Sequence, residues 1–234
     1  MTVHTFDAAI SRDLCRRAAA VRGQARLRGV TGWQRSAADP ATLLAVFDTL
    51  QLKPEYRLCA YQYVEGRDGH GVIWAIPAGS ACPEPNRRQN DEPPRPQGAL
   101  DDLRAAVAGD GSPLSYLSAS LFAREALEFG AFGHGTSWGA YHIIGTAPWQ
   151  GEAPGDGYAE PGGTAADWEW DDVPPQTWAP SVAVTPDQVT VTFYTFCGLG
   201  TQRIIRHTDV YTPGDYRFVT QADVIARGPG GYVW

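Results

Sequence analysis

The chain has 234 residues, with 26 acidic and 19 basic side chains and a formal net charge of −7. Hydrophobic residues make up 43% of it, which excludes fibrous and wholly disordered proteins and indicates a globular protein. The acidic surplus argues against a protein that coats nucleic acid, because binding to phosphates needs basic side chains. We therefore expect no nucleic-acid partner.

The N-terminus and the cysteines bear on the cellular location. No signal peptide is visible, and no stretch approaches the ~20 apolar residues that cross a bilayer. The four cysteines are widely spaced; they are Cys15, Cys59, Cys82 and Cys197. Four cysteines in a chain of this length are not typical of a disulfide framework, so we expect reduced thiols, a cytoplasmic location and no membrane. An exported protein with two disulfides is the alternative.

The first half of the chain predicts two helices followed by a β-hairpin. Apolar residues recur at every third or fourth position in the first helix, and Asp39 and Pro40 supply an N-cap and a first-turn proline for the second. Two β-rich runs around a Gly-Arg-Asp-Gly turn indicate the hairpin, and the proline-rich residues 83–97 predict a loop. These elements are the helices Phe6–Ala25 and Ala41–Leu50 and the strands Tyr56–Glu65 and Gly71–Pro77.

The middle of the chain predicts a buried helix. Ala99–Ala108 has helical character, and a glycine-containing turn then separates it from a second helical run. Ser112 provides an N-cap and Pro113 the first position of this second helix, which reaches Phe129. Its apolar side chains lie nearly all round the helix, a pattern typical of a helix in the core.

The last third predicts a β-meander. A short strand at Ala140–Ile144 leads into residues 146–180, a long acidic, tryptophan-rich loop with one short strand at Asp167–Asp171. Four β-rich runs separated by glycine and proline follow: Ser181–Val184, Gln188–Phe196, Gln202–Tyr211 and Tyr216–Ala226. We expect a single-domain α+β protein whose N-terminal and central helices pack on a mainly antiparallel sheet.

The first candidate site lies at the end of the central helix. Glu128 is followed by His134 and His142, and a carboxylate with two imidazoles suits a zinc ion or the acid–base pair of a hydrolase. The spacing matches no metal motif, so we predict no bound metal or other cofactor. Arg124 lies four residues before Glu128 and offers the carboxylate an ion-pair partner instead.

The second candidate site lies on the predicted strand Gln202–Tyr211. Alternation places Arg203, His207 and Asp209 on one face, where they could bind an anion or position a proton carrier. Polar pairs on a solvated sheet face are the alternative. A contact between Cys197 and His207 across adjacent strands would form a nucleophile pair, although the sequence has no nucleophile elbow.

The third candidate site is the acidic loop. Residues 146–180 hold seven acidic residues, no Lys or Arg, and four of the eight tryptophans, among them Trp149, Trp168 and Trp170. Tryptophans beside carboxylates suit a carbohydrate, a basic peptide or a proline-rich peptide, and paired carboxylates also suit glycoside hydrolysis. The alternative is that the tryptophans anchor a long loop to the domain.

Because no complete catalytic set appears, we expect a non-catalytic binding or regulatory protein. Its acidic, tryptophan-rich surface would bind a basic protein or peptide. One alternative is a hydrolase centred on Glu128, His134 and His142. The other is a homo-oligomer in which each copy buries the aromatic patch of its neighbour.

Overall fold

A computed structural model describes residues 1–25, 31–85, 92–150 and 164–231. Within these ranges the chain is a mixed α+β protein, mostly sheet, and the paired strands are antiparallel. The α-helices are α1 (Ala8–Gln24), α2 (Ala41–Leu44) and α3 (Pro113–Leu127). The strands are β1 (Thr2–Thr5), β2 (Gly32–Arg35), β3 (Leu50–Leu52), β4 (Tyr56–Glu65), β5 (Asp68–Pro77), β6 (Val107–Gly109), β7 (Tyr141–Ile144), β8 (Glu169–Trp170), β9 (Ser181–Val184), β10 (Val189–Cys197), β11 (Arg203–Tyr211) and β12 (Phe218–Arg227).

The chain divides into two compact units. One consists of Met1–Asp13, Gly139–Pro213 and Phe218–Trp234, and the other of Leu14–Trp138 and Gly214–Arg217. The single-domain organisation expected from the sequence stays a prediction. None of the helices in the described ranges combines the length and the apolar character that a membrane span requires.

The first unit is built on a seven-stranded sheet. Its main order is β1-β9-β10-β11-β12-β8, and β7 pairs with the second half of β10. The strands β9 to β12 form the C-terminal meander that the sequence predicts. Alternation in β10 and β11 gives each face its own side chains: Phe196 and Ile204 lie on one face, and Phe193 and His207 on the other.

The second unit contains α3, a three-stranded sheet (β2-β4-β5) and the pair β3–β6. Ser112 caps α3 by accepting a hydrogen bond from the Ser115 backbone N–H, and Pro113 opens the helix, as predicted. Gly71 of β5 lies so close to the end of α3 that an added Cβ would stand 2.1 Å from the Phe129 carbonyl oxygen. Glycine is therefore required where the sheet meets this helix end.

Two of the predicted helices and the cysteine prediction need correction. The second helix ends at Leu44 rather than Leu50, and Ala99–Ala108 forms a short 3₁₀ turn and strand β6 instead of a helix. In both places the pairing of β3 with β6 overrides local helix propensity. Cys59 and Cys82 form a disulfide, so the expectation of four reduced thiols is wrong for this pair; Cys15 and Cys197 are free.

Candidate functional site

The aromatic residues of the acidic stretch gather on one face of the seven-stranded sheet. Trp168 follows a 3₁₀ turn (Ala165–Asp167) that is closed by a capping box between Thr164 and Asp167, and Trp170 lies on β8 beside β12. Four indoles and a tyrosine of β10 pack on the same core and are called here the tryptophan cluster: Trp149, Trp168, Trp170, Trp178 and Tyr194.

The tryptophan cluster has a buried base and a half-buried rim. Trp168 is 4% exposed and packs on Phe196, with ring centroids 6.3 Å apart. Trp149, Trp170 and Trp178 are half-buried. The Trp149 ring stands nearly perpendicular to Trp170 at 5.9 Å and to Trp178 at 6.3 Å, an edge-to-face packing that fixes ring orientation. Trp168 thus anchors the segment, while the other three indoles keep part of their surface accessible.

Carboxylates border the tryptophan cluster, and arginines of the sheet hold them. Arg206 lies opposite Tyr194 across β10 and β11, and its Nη1 is 2.7 Å from Asp172 Oδ2. Arg227 pairs with Asp171. The side chains of Asp171 and Asp172 nevertheless stay 42% exposed, with acceptor capacity beyond these arginine contacts. Three further acids of the stretch lie outside the described residues: Glu152, Asp156 and Glu160.

The second candidate set lies on a buried face of β11. Alternation places Arg203, His207 and Asp209 on one face as predicted, but His207 is 5% exposed and Asp209 fully buried, so this face is not solvated. His207 Nε2 is 2.9 Å from the Thr195 hydroxyl, and the ring stacks on Phe193 at 4.7 Å. The histidine is therefore held as part of a packed core.

The strand register separates the two members of the proposed nucleophile pair. Cys197 lies opposite Arg203, with its sulfur 3.8 Å from an arginine nitrogen, whereas His207 lies opposite Phe193. Four positions along the strand therefore separate Cys197 from the residue that faces His207. This face does not form the Cys–His pair.

Glu128 belongs to a buried ionic network at the end of α3. Its Oε2 is 2.6 Å from Arg22 Nη1, and its Oε1 accepts hydrogen bonds from the backbone N–H groups of Ser137 and Trp138. Glu128 is 2% exposed and Arg22 8%. Arg124 places its guanidinium 5.6 Å from the Trp138 ring centroid. With both carboxylate oxygens engaged, Glu128 joins α1 to the turn that follows α3.

Glu125 shares the same arginine. Its Oε2 lies 2.6 Å from Arg22 Nε, and its Oε1 accepts a hydrogen bond of 2.9 Å from the Trp138 indole. Burial raises the pKa of Glu125, and burial together with the neighbouring Glu125 raises the pKa of the Cys15 thiol. The Arg22 guanidinium thus contacts two buried carboxyl groups, and the raised pKa of Glu125 favours the neutral form of that side chain.

The two candidate histidines occupy different places. The His134 side chain is 87% exposed, and its Nδ1 is 3.1 Å from Asp68 Oδ1, which also accepts the His134 backbone N–H. The flanking glycines allow this contact, since a Cβ on Gly133 would stand 2.1 Å from the same carboxylate oxygen. His142 lies on β7 in the first unit, paired with Phe196. Over the described ranges, no three His, Cys, Asp or Glu side chains are placed to hold a metal ion.

The raised pKa of Glu125 predicts a pH-dependent stability. Above the ordinary glutamate pKa of 4.5 the unfolded chain releases this proton while the folded chain retains it, so rising pH favours unfolding until the folded pKa is passed. The free energy of unfolding of the wild type, measured in urea, should therefore fall relative to that of Glu125→Gln as the pH rises from 4.5.

The carboxyl of Asp110 gives a control of opposite sign. Hydrogen bonds from Ser112 lower the pKa of Asp110 in the folded chain. The charged Asp110 therefore contributes its full stabilisation of the fold above the ordinary pKa of 3.8, and this contribution is lost as the pH falls through the folded pKa. The wild type should lose stability relative to Asp110→Asn on acidification. A difference between wild type and Glu125→Gln that does not change with pH would contradict the account of Glu125.

Sequence reasoning missed several members of these sites. Tyr194 joins the tryptophan cluster from β10, and only its aromatic character signals a role, whereas Trp178 is one of the four tryptophans that the sequence places in the acidic stretch. Arg22 pairs with Glu128 across 106 positions, and Glu125 was visible only as a neighbour of Glu128. Pairings of this kind depend on how helices meet, which local spacing does not encode.

The first unit holds an aromatic rim beside accessible carboxylates. The second unit holds a buried ionic network around Arg22. Comparison with protein-family models, with curated proteins and with solved structures finds no match for this chain.

Proposed function

We propose that the chain is a non-catalytic binding protein whose tryptophan cluster binds a basic peptide or a basic surface of a partner protein. The observation that carries the proposal is the difference in burial between the indoles of the cluster. Trp168 alone is buried deeply enough to anchor the segment, yet Trp149, Trp170 and Trp178 are held beside it with part of their surface open. Large aromatic side chains are typical anchors of binding surfaces.

Electrostatics favour a cationic ligand. The face of an indole ring carries negative electrostatic potential and attracts guanidinium and ammonium groups. Asp171 and Asp172 directly follow the strand that carries Trp170, and their side chains stay 42% exposed. The net charge of −7 also steers basic partners toward the chain and acidic ones away from it.

The hydrolase alternative has less support. It needs Glu128 to reach a substrate or a metal, but that carboxylate is buried and takes up Arg22 and two backbone N–H groups. His134 is engaged with Asp68 at the surface. A carboxylate saturated in this way has no open site for general acid–base work.

The test uses a fluorescein-labelled decapeptide of alternating Arg and Gly, titrated with the full chain and followed by anisotropy. Trp170→Ala should weaken binding about tenfold, which corresponds to about 1.4 kcal/mol, because a cation–π contact and apolar area are lost. Trp170→Phe should restore part of the affinity, and binding should weaken as salt is added.

Tyr141→Ala is the matched control. Tyr141 is a half-buried aromatic residue of β7 whose ring contacts His207 on the opposite face of the same sheet. Its removal should leave peptide affinity unchanged. Equal affinity of Trp170→Ala and the wild type, or equal binding of a peptide with Glu in place of Arg, would refute the proposal. A molecular mass that rises with concentration and falls on Trp170→Ala would favour self-association instead.

The cellular location is part of the same proposal. The cytoplasmic location expected from the sequence stays a prediction. The Cys59–Cys82 disulfide supports the alternative of an exported protein, with one bridge instead of two, because such bonds persist in oxidising compartments.

A further inference from the structure

A second group of aromatic side chains lies on one face of the sheet β2-β4-β5, in the second unit, where Trp33 and Tyr61 are buried. The register places Cys59 opposite Trp74, Tyr61 opposite Val72, and Tyr63 opposite both Trp33 and His70. Paired residues of an antiparallel sheet share a face, so these side chains form one continuous row. The rings of Trp33, Tyr63 and His70 lie 5.1 to 5.4 Å apart.

The proline-rich segment of the chain is hydrogen-bonded to this face at two places. Near its start, the Tyr61 hydroxyl donates a hydrogen bond of 2.8 Å to the Pro83 carbonyl, beside the Cys59–Cys82 disulfide. Near its end, the Trp74 indole donates one of 2.8 Å to the Pro94 carbonyl. Residues 86–91, between these contacts, lie outside the described residues.

Both contacts have the chemistry by which aromatic grooves recognise proline-rich peptides. Proline has no N–H to donate, so a proline-rich segment is held mainly through hydrogen bonds to its carbonyl oxygens and through apolar contacts of its rings. Tyrosine and tryptophan supply such donors together with an apolar ring. Residues Pro93 to Pro96 read Pro-Pro-Arg-Pro, a Pro-x-x-Pro sequence, and the Arg95 guanidinium lies 5.0 Å from the centroid of the Trp74 ring.

We propose that this aromatic face is a recognition surface for Pro-x-x-Pro segments of a partner protein, which the chain's own segment occupies in cis. The face extends past the segment to Tyr63, which is half-buried, and His70, which is exposed, so a longer peptide finds additional contacts there. This surface is independent of the tryptophan cluster, because it lies in the other unit and uses other residues.

The test measures binding of a labelled peptide with the sequence of residues 92–99 to the full chain. Replacing Pro93, Pro94 and Pro96 of the chain by Ala should weaken the segment bound in cis and changes no residue of the sheet. This triple variant should bind the peptide about tenfold more tightly than the wild type, because the internal competitor is lost. Adding Trp74→Phe should weaken binding about fivefold through the lost indole donor.

Controls separate this proposal from the one for the tryptophan cluster. Trp170→Ala in the triple variant should leave binding of this peptide unchanged, and a peptide with Ala at its three proline positions should bind much more weakly. Equal affinity of wild type and triple variant, or no effect of Trp74→Phe, would overturn the proposal. If the wild-type chain elutes as a dimer in which two copies exchange their proline-rich segments, the partner is a second copy of this chain. That result would overturn the proposal of a different partner protein.

Discussion

Replacing Arg22 by Met should lower the free energy of unfolding by about 3–5 kcal/mol, since it leaves buried carboxylates without their cation. Arg22 contacts Glu125 through Nε and Glu128 through Nη1, both at 2.6 Å. Glu128 is 2% exposed, so its carboxylate depends on protein partners rather than on solvent. In urea denaturation, the midpoint of Arg22→Met should lie at a lower urea concentration than that of the wild type, with an unchanged m-value.

Two further variants test the cause of that loss. Arg217→Met removes a guanidinium that is 58% exposed and paired with Asp215, and it should cost much less stability than Arg22→Met. The double variant Arg22→Met, Glu128→Gln should recover part of the stability, because it removes one of the two buried negative charges that Arg22 contacts. If Arg22→Met costs no more than Arg217→Met, the network does not stabilise the fold.

Phe196→Ala is the second substitution with a large expected effect. Phe196 is fully buried on β10 and packs against Trp168, the anchor of the tryptophan cluster. Its truncation leaves a cavity beneath that ring and should cost about 3–5 kcal/mol of unfolding free energy. The near-ultraviolet circular dichroism of the cluster should also weaken, because its rings lose their fixed orientation.

Val219 provides the comparison on the same sheet. It lies on β12 and is 76% exposed, so Val219→Ala should change stability by no more than about 0.5 kcal/mol. Phe196→Leu should fall between the two, since it fills part of the cavity. Loss of stability in Phe196→Ala with an unchanged near-ultraviolet spectrum would mean that Trp168 does not depend on this ring.

Local signals in the sequence account for much of the fold. The capping serine and the proline predict where α3 begins, and the alternation of β-branched and aromatic residues predicts β10 and β11. Each of these signals acts within a few residues of the element. The second helix shows their limit, because Leu50 pairs with Gly109 and the helix ends early.

The sites depend on contacts that no local pattern contains. The disulfide between Cys59 and Cys82 and the pairing of Arg22 with Glu128 join distant positions. The tryptophans of the acidic stretch were predicted as a group, but their separation into a buried Trp168 and a half-buried rim follows from the sheet on which they pack. The same holds for Asp171 and Asp172, which meet arginines of β11 and β12.

The central claim is that the rim of the tryptophan cluster binds a basic ligand. The most direct test follows the indole N–H resonances of the ¹⁵N-labelled chain while the peptide of alternating Arg and Gly is added. The account predicts that the resonances of Trp149, Trp170 and Trp178 shift with a common affinity, while those of Trp33 and Trp138, which lie in the other unit, stay in place. Shifts confined to Trp33 and Trp138, or no shift of the rim indoles at saturating peptide, would contradict it.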